Sequence, residues 1–176
     1  MGNRKSREYR RRHEYESAWR DARTLPRRLD EDVHIPGIGA RRLQIVVMPA
    51  FDQGYGWDLR TFAGEWRTYR SRIVDDGETK HFSGYDELAM PGERLQAYFD
   101  QLCAIQFPLR PLLNSMAGCD GTIYTLTIQG DLYSVVRLEW WSEYPEHWQA
   151  AVRLTETMIA DLRQCPLKDG EGASSQ

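Results

Sequence analysis

The feature that most constrains the fold is a run of alternating apolar and polar residues between positions 122 and 141. The apolar members of this run are Tyr124, Leu126 and Ile128, followed by Val136, Leu138 and Trp140. A period of two is typical of strands that bury one face. Gly130 and Asp131 lie between the two halves and predict a two-residue turn. The sequence therefore predicts a β-hairpin here.

A second hairpin and a further strand are predicted nearer the N-terminus. Residues 57–62 and 65–74 flank Ala63 and Gly64, a dipeptide that suits a tight turn. Residues 43–48 are rich in β-branched side chains and are closed by Pro49, so they predict an additional strand at the edge of the sheet.

Two segments carry the three- to four-residue periodicity of amphipathic helices. The first covers residues 92–107 and has an apolar stripe of Leu95, Tyr98, Phe99, Leu102 and Ile105. The second runs from about residue 145 to residue 164, with a stripe of Trp148, Val152, Thr155, Ile159 and Leu162. Each helix is expected to bury one face.

These elements predict an α+β fold: an antiparallel sheet of about five strands with two helices packed on one face. The order of the elements leaves open two ββα halves related by duplication. We expect residues 1–42 to be a basic tail and linker, partly helical or disordered. Residues 43–165 would form the single domain, and residues 166–176 a disordered end.

One stretch resembles known proteins. Residues 120–126 read Asp-Gly-Thr-Ile-Tyr-Thr-Leu, and the hairpin after them leads to Trp140, Trp141 and a closing helix with Trp148. This pattern resembles the C-terminal half of many small uncharacterised bacterial proteins. Residues 49–52 and 64–71 look like the matching N-terminal half. The resemblance covers roughly residues 43–163 and implies an α+β fold and a bacterial source, but no activity.

Charge is distributed unevenly along the chain. Residues 1–28 hold ten basic and four acidic residues, a charge of +6, whereas the whole chain carries -3, so residues 29–176 carry -9. An acidic body would favour a basic protein partner through electrostatic steering. The sequence leaves the oligomeric state open.

Composition and cysteine usage predict a cytoplasmic protein. The hydrophobic share of 41% suffices for a core. No apolar run approaches the roughly 20 residues of a membrane helix, and no secretory signal is recognisable. Cys103, Cys119 and Cys165 form no metal or disulfide spacing, so we expect reduced thiols, with Cys103 in the core.

The candidate partner-binding residues are Trp141, Glu143, Tyr144, His147 and Tyr55. Trp141 falls on the outward face of its strand beside Arg137 and Glu139, and an aromatic ringed by charge is typical of a binding hot spot. The alternative is that Trp141 covers the end of the sheet or packs on the tail. The sequence thus favours a non-enzymatic protein-binding module, similar in general character to immunity or inhibitor proteins.

An enzyme of unknown class is the alternative, with a site between residues 51–57 and 141–147. His147 or His81 would then need a nearby carboxylate such as Glu143 or Asp86. No phosphate-binding loop, paired-histidine motif or nucleophile elbow is recognisable. We therefore predict no catalytic, cofactor-binding or metal-binding residue.

The basic tail leaves a third function open. Residues 1–6 fit a myristoylation pattern, which together with the basic residues behind it would give membrane-surface association. Arg10, Arg11 and Arg12 could contact nucleic-acid phosphates. The acidic body and the absence of a stacking motif argue against nucleic acid. Bacteria generally lack the transferase that myristoylation needs, which argues against the membrane. A solvated extension, or one that docks on its own acidic body, is the default.

Overall fold

The computed structural model places the alternating segments in one antiparallel sheet. It describes residues 9, 10, 13, 16, 17, 20, 27, 28, 34, 35, 38–75, 77–106, 121–130, 134–142 and 144–168. The strands are β1 (Arg27–Arg28), β2 (His34–Ile35), β3 (Gly39–Pro49), β4 (Gly54–Phe62), β5 (Glu65–Asp75), β6 (Lys80–Leu88), β7 (Thr122–Gln129) and β8 (Val135–Trp140). The helices whose bounds are described are α1 (Gly92–Ala104) and α2 (Gln149–Gln164), the latter preceded by a 3-10 turn at Glu146–Trp148. Residues 9, 10, 13, 16, 17 and 20 are also helical.

The strand order is β1-β6-β5-β4-β3-β7-β8, and β2 pairs with β3. The predicted α+β class is confirmed, but the sheet has eight strands among the described residues rather than about five. Strand β6 was missed because a bulge opposite Arg70 and Arg72, with Gly84 at a φ of 72°, breaks its alternation. Strands β1 and β2 have two residues each, too few for a pattern.

The two hairpins differ in how well the sequence predicted them. Phe62 pairs with Glu65, and both Ala63 and Gly64 have positive φ, so the predicted two-residue turn is confirmed. The two-residue turn at Gly130 is wrong, because Gln129 pairs with Val135 and leaves five residues between them. The Gly130 amide donates to the Ser134 carbonyl, and Asp131 lies outside the described residues.

The interpretation as two ββα halves is also wrong. Four long strands, β3 to β6, precede α1, whereas β7 and β8 are the strands described between α1 and α2. The predicted domain border at residue 43 falls inside β3, which begins at Gly39. At the other end, residues 166–168 pair with the end of β6, where Leu167 faces Leu88. Residues 169–176 lie outside the described chain.

The main core lies between the helices and one face of the sheet, here called the helix face. Leu43, Ile45 and Val47 project from β3 to this face at 1% exposure or less. The predicted stripes of both helices meet them: Leu95, Tyr98 and Leu102 from α1, and Val152, Thr155, Ile159 and Leu162 from α2. Cys103 is exposed instead of buried, because it lies beside the α1 stripe rather than on it. Burial of this apolar surface is the principal stabilising term.

Candidate functional site

Three chain segments meet at one end of the sheet, here called the loop end. They are residues 50–53 between β3 and β4, Gly121 before β7, and residues 141–142 after β8. The Ala50 amide donates a hydrogen bond of 2.9 Å to the Gly121 carbonyl. Residues far apart in sequence therefore become neighbours, since β7 lies between β3 and β8.

Trp141 closes one side of the loop end. An ideal β-carbon on Gly121 would lie 1.6 Å from Trp141 Nε1, so the indole lies directly on the glycine backbone. Trp141 is half-buried as a result. The sequence predicted an outward tryptophan and left open that it covers the end of the sheet. The structure gives it both a covered and an exposed side.

The most exposed aromatic of the loop end is Phe51, with 86% of its side chain accessible. The loop that carries it is nevertheless held in place. Gln53 Nε2 donates to the carbonyl oxygens of Ile73, at 2.6 Å, and Gly54, at 3.1 Å. Asp52 Oδ1 accepts a hydrogen bond from the backbone amide of Gln53 at 2.7 Å. Phe51 therefore stands out from a constrained loop.

An open concavity of about 490 Å³ lies next to Phe51. Its lining includes Met48, Phe51, Asp52, Ile73, Asp75 and Lys80. Asp75 Oδ1 also accepts from the Gly77 amide at 3.0 Å. None of the described residues of the segment 141–147 lines this concavity. Its polar groups thus come from the β3–β4 loop and the β5–β6 connection.

The other predicted partner-binding residues differ in their surroundings. Tyr55 and Tyr144 are half-buried against the main core on the helix face. His147 is exposed and meets the Trp148 ring edge-on at 6.2 Å between ring centroids. Glu143 lies outside the described residues. Of these candidates, Tyr55 and Tyr144 therefore pack against the core, whereas His147 remains accessible to solvent.

An aromatic row explains the positions of Tyr55 and Trp140. Tyr55, Val47, Tyr124 and Trp140 are successive cross-strand partners along β4, β3, β7 and β8. Tyr124 and Trp140 stack at 5.6 Å with an interplanar angle of 8°. Such pairs stabilise a sheet locally. Tyr55 therefore contributes to packing near the loop end.

Sequence reasoning missed a buried charged cluster on the other side of the sheet, here called the far face. Its centre is the Asp58 carboxylate, which contacts the guanidinium groups of Arg41, at 3.0 Å, and Arg60, at 3.2 Å. Gln44 Nε2 and the Tyr85 hydroxyl also donate to Asp58, at 3.1 and 3.0 Å. Asp58 and Arg60 alternate with helix-face residues as ordinary solvent-facing residues do, and a bulge after Arg41 interrupts the pattern of β3, so no local signal distinguishes the cluster.

The cluster is built as a structural network. Burial lowers the pKa of Arg60, but the Asp58 charge and the Tyr85 hydroxyl outweigh burial and raise this pKa above its ordinary value. Arg60 Nε donates to the Tyr85 hydroxyl at 2.7 Å, and Tyr85 stacks on Tyr69 at 4.5 Å. Arg60 and Asp58 are at most 4% exposed, so a solute cannot reach them. The network holds β3, β4 and β6 together.

Two further structural observations bear on function. Within the described parts of the chain, no three His, Cys, Asp or Glu side chains lie close enough together to hold a metal ion. Among the described helices, none is long and apolar enough to cross a membrane.

Comparison with known proteins finds no family model, no curated protein and no solved structure that matches this chain significantly.

Proposed function

We propose that this chain is a non-enzymatic, cytoplasmic protein-binding module, similar in character to immunity or inhibitor proteins, and that it docks a basic protein at the loop end. The observation that carries the proposal is the 86% exposure of Phe51 in a loop whose neighbour Ala50 bonds to Gly121, the residue that the half-buried Trp141 covers. Accessible aromatics are typical of the few residues that dominate a protein interface.

The surroundings of Phe51 support the same proposal. The hydrogen bonds of Gln53 constrain the loop before a partner arrives, which lowers the entropy lost on binding. The neighbouring concavity could accept a partner side chain, and the carboxylates of Asp52 and Asp75 would favour a lysine or arginine, with Lys80 at the same rim. The charge of -9 on residues 29–176 would speed encounter with a basic protein.

The test uses the tagged full chain and the variants Phe51→Ala and Trp141→Ala. Each is used to capture proteins from a lysate of the native cell, and captured proteins are quantified against the unmodified chain. A protein lost by both variants is then purified, and its Kd is measured by calorimetry at two salt concentrations. We expect each alanine to raise the Kd at least tenfold, in line with a hot-spot residue, and salt to weaken binding.

Leu167→Ala is the matched control. Leu167 is also exposed, at 48%. It pairs with Leu88, at the end of β6 that is opposite to Lys80 and the concavity. This variant should have a Kd within about twofold of that of the unmodified chain, as expected of a side chain outside the interface. Equal capture by all variants, or no protein retained above background, would count against the proposal.

The alternatives from the sequence find less support. An enzyme site would need polar groups from both residues 51–57 and residues 141–147, whereas of these two segments only the first supplies described residues to the concavity. Association through the basic tail concerns residues 1–28, most of which lie outside the described chain.

A further inference from the structure

Strand β8 forms one edge of the sheet, and among the described residues it pairs only with β7. Monomeric proteins usually protect such an edge with lysine, proline, a bulge or a covering segment, because its free backbone groups can pair with another strand. The sequence of β8, VVRLEW, contains neither lysine nor proline. Its six pairs with β7 run from Gln129 with Val135 to Tyr124 with Trp140 without a bulge.

The side chains at this edge are available for contact. Val135 and Val136 are 55% and 48% exposed. Arg137 and Glu139 lie on the far face, at 57% and 54% exposure, and form an ion pair of 3.1 Å within the strand. An open strand that offers two valines and one charge of each sign can therefore pair with a strand of matching pattern.

We infer that this strand pairs with β8 of a second copy of the chain, antiparallel about a two-fold axis at Leu138. In an antiparallel pair, directly opposed residues lie on the same face of the sheet. With Leu138 on the axis, Arg137 of each copy lies opposite Glu139 of the other, so two complementary charge pairs form. Val136 lies opposite Trp140, and Val135 opposite Trp141.

Other registers fit less well. A shift that moves the axis by half a residue would place helix-face side chains opposite far-face side chains, which breaks the continuity of the core. With Arg137 on the axis, two arginines would oppose each other, and with Glu139 on the axis two glutamates would. Like charges directly opposite destabilise a sheet. Charge complementarity and face matching thus select the same arrangement, a closed two-fold dimer.

The dimer is expected to dissociate on dilution. Six residues of one strand bury less surface than the roughly 1,600 Å² of a standard stable interface. The inference does not depend on the proposed function, because the purified chain by itself should dimerise. Phe51→Ala should leave the dimer intact, so failure of one idea is distinguishable from failure of the other.

The test is sedimentation velocity of the purified full chain over a wide concentration range. We expect the mass to rise from the monomer value of 20.5 kDa towards twice that value. Arg137→Glu alone, or Glu139→Arg alone, would place two like-charged pairs across the axis and should raise the dimer Kd about tenfold or more. The double variant, with both charges exchanged, should restore the original Kd.

Hydrogen exchange supplies a readout that needs no substitution. Those amides of residues 135–140 that point away from β7 should gain protection as the concentration rises, whereas the amides of β5, in the middle of the sheet, should not change. A chain that stays monomeric at all concentrations would overturn the inference and point to a foreign strand or to no partner. A dimer Kd that does not change in the single charge-reversal variants would overturn the inference as well. So would a double variant that does not restore the original Kd.

Discussion

The indole of Trp141 occupies the space that a β-carbon of residue 121 would need. An ideal β-carbon on Gly121 would lie 1.6 Å from Nε1 and 2.6 Å from Cδ1 of that ring. The same glycine accepts the hydrogen bond from Ala50. One residue without a side chain therefore joins the loop after β3 to the residue after β8.

Gly121→Ala should displace the Trp141 ring and destabilise the protein by about 1–3 kcal/mol, the usual effect of adding a methyl group to a filled space. Urea unfolding measures the stability, and the indole N–H signals in an ¹⁵N spectrum report which tryptophan moves. Gly92→Ala is the control, because its β-carbon would meet Trp66 at an ordinary 3.6 Å. Similar spectra for both variants would contradict the contact.

Asp58→Asn should destabilise the fold by about 3–5 kcal/mol, because it removes the charge that buried Arg41 and Arg60 face. Chemical unfolding at low temperature measures the change. Glu139→Gln removes a carboxylate of an exposed ion pair instead and should change stability by no more than about 1 kcal/mol. Equal effects of the two substitutions would show that the far-face network does not stabilise the protein.

Gly56→Ala should be destabilising by about 1–3 kcal/mol, since a β-carbon there would lie 2.2 Å from Cε1 of Phe82. The smaller, more flexible side chain of Phe82→Leu should make room for it. In a double-mutant cycle from unfolding free energies, the two substitutions should therefore couple by at least about 0.5 kcal/mol. Strictly additive effects would mean that the ring does not lie on Gly56.

Gln53→Ala should loosen the loop that presents Phe51. The variant loses hydrogen bonds to the carbonyl oxygens of Ile73 and Gly54, which together contribute on the order of 1 kcal/mol. Faster amide exchange of residues 50–53 is the expected result. Gln101→Ala removes the same side chain from the exposed surface of α1 and should leave that exchange unchanged. Unaltered exchange in the first variant would contradict the role of Gln53.

Local patterns predicted the elements whose signals are local. The turn at Ala63 and Gly64 needs only two residues with positive φ, and the stripes of α1 and α2 need only helical spacing. Strand β6 was not predicted, because its bulge changes which residues share a face. The length of the five-residue connection before Val135 was not predicted, because Gly130 and Asp131 also suit a shorter turn.

At the loop end, too, local patterns predicted one part of the candidate site and not the other. Phe51 and Trp141 stand 90 positions apart, and no periodicity relates them. Their segments meet because β7 inserts between β3 and β8, so that Gly121 contacts both Ala50 and the Trp141 ring. Aromatic character made Trp141 a candidate in the sequence, whereas Phe51 became the more exposed candidate only in three dimensions.

The sequence by itself determined which face β7, β8 and the two helices bury, because a side chain's direction follows from the backbone period of two or 3.6 residues. The hairpin of β7 and β8 and the stripes of both helices followed from this rule. Only the tertiary structure decided that Asp58 is buried among Arg41, Arg60 and Tyr85, and that Gly121 lies beneath Trp141. These contacts depend on strand order and register, which arise from long-range packing that no short stretch of sequence encodes.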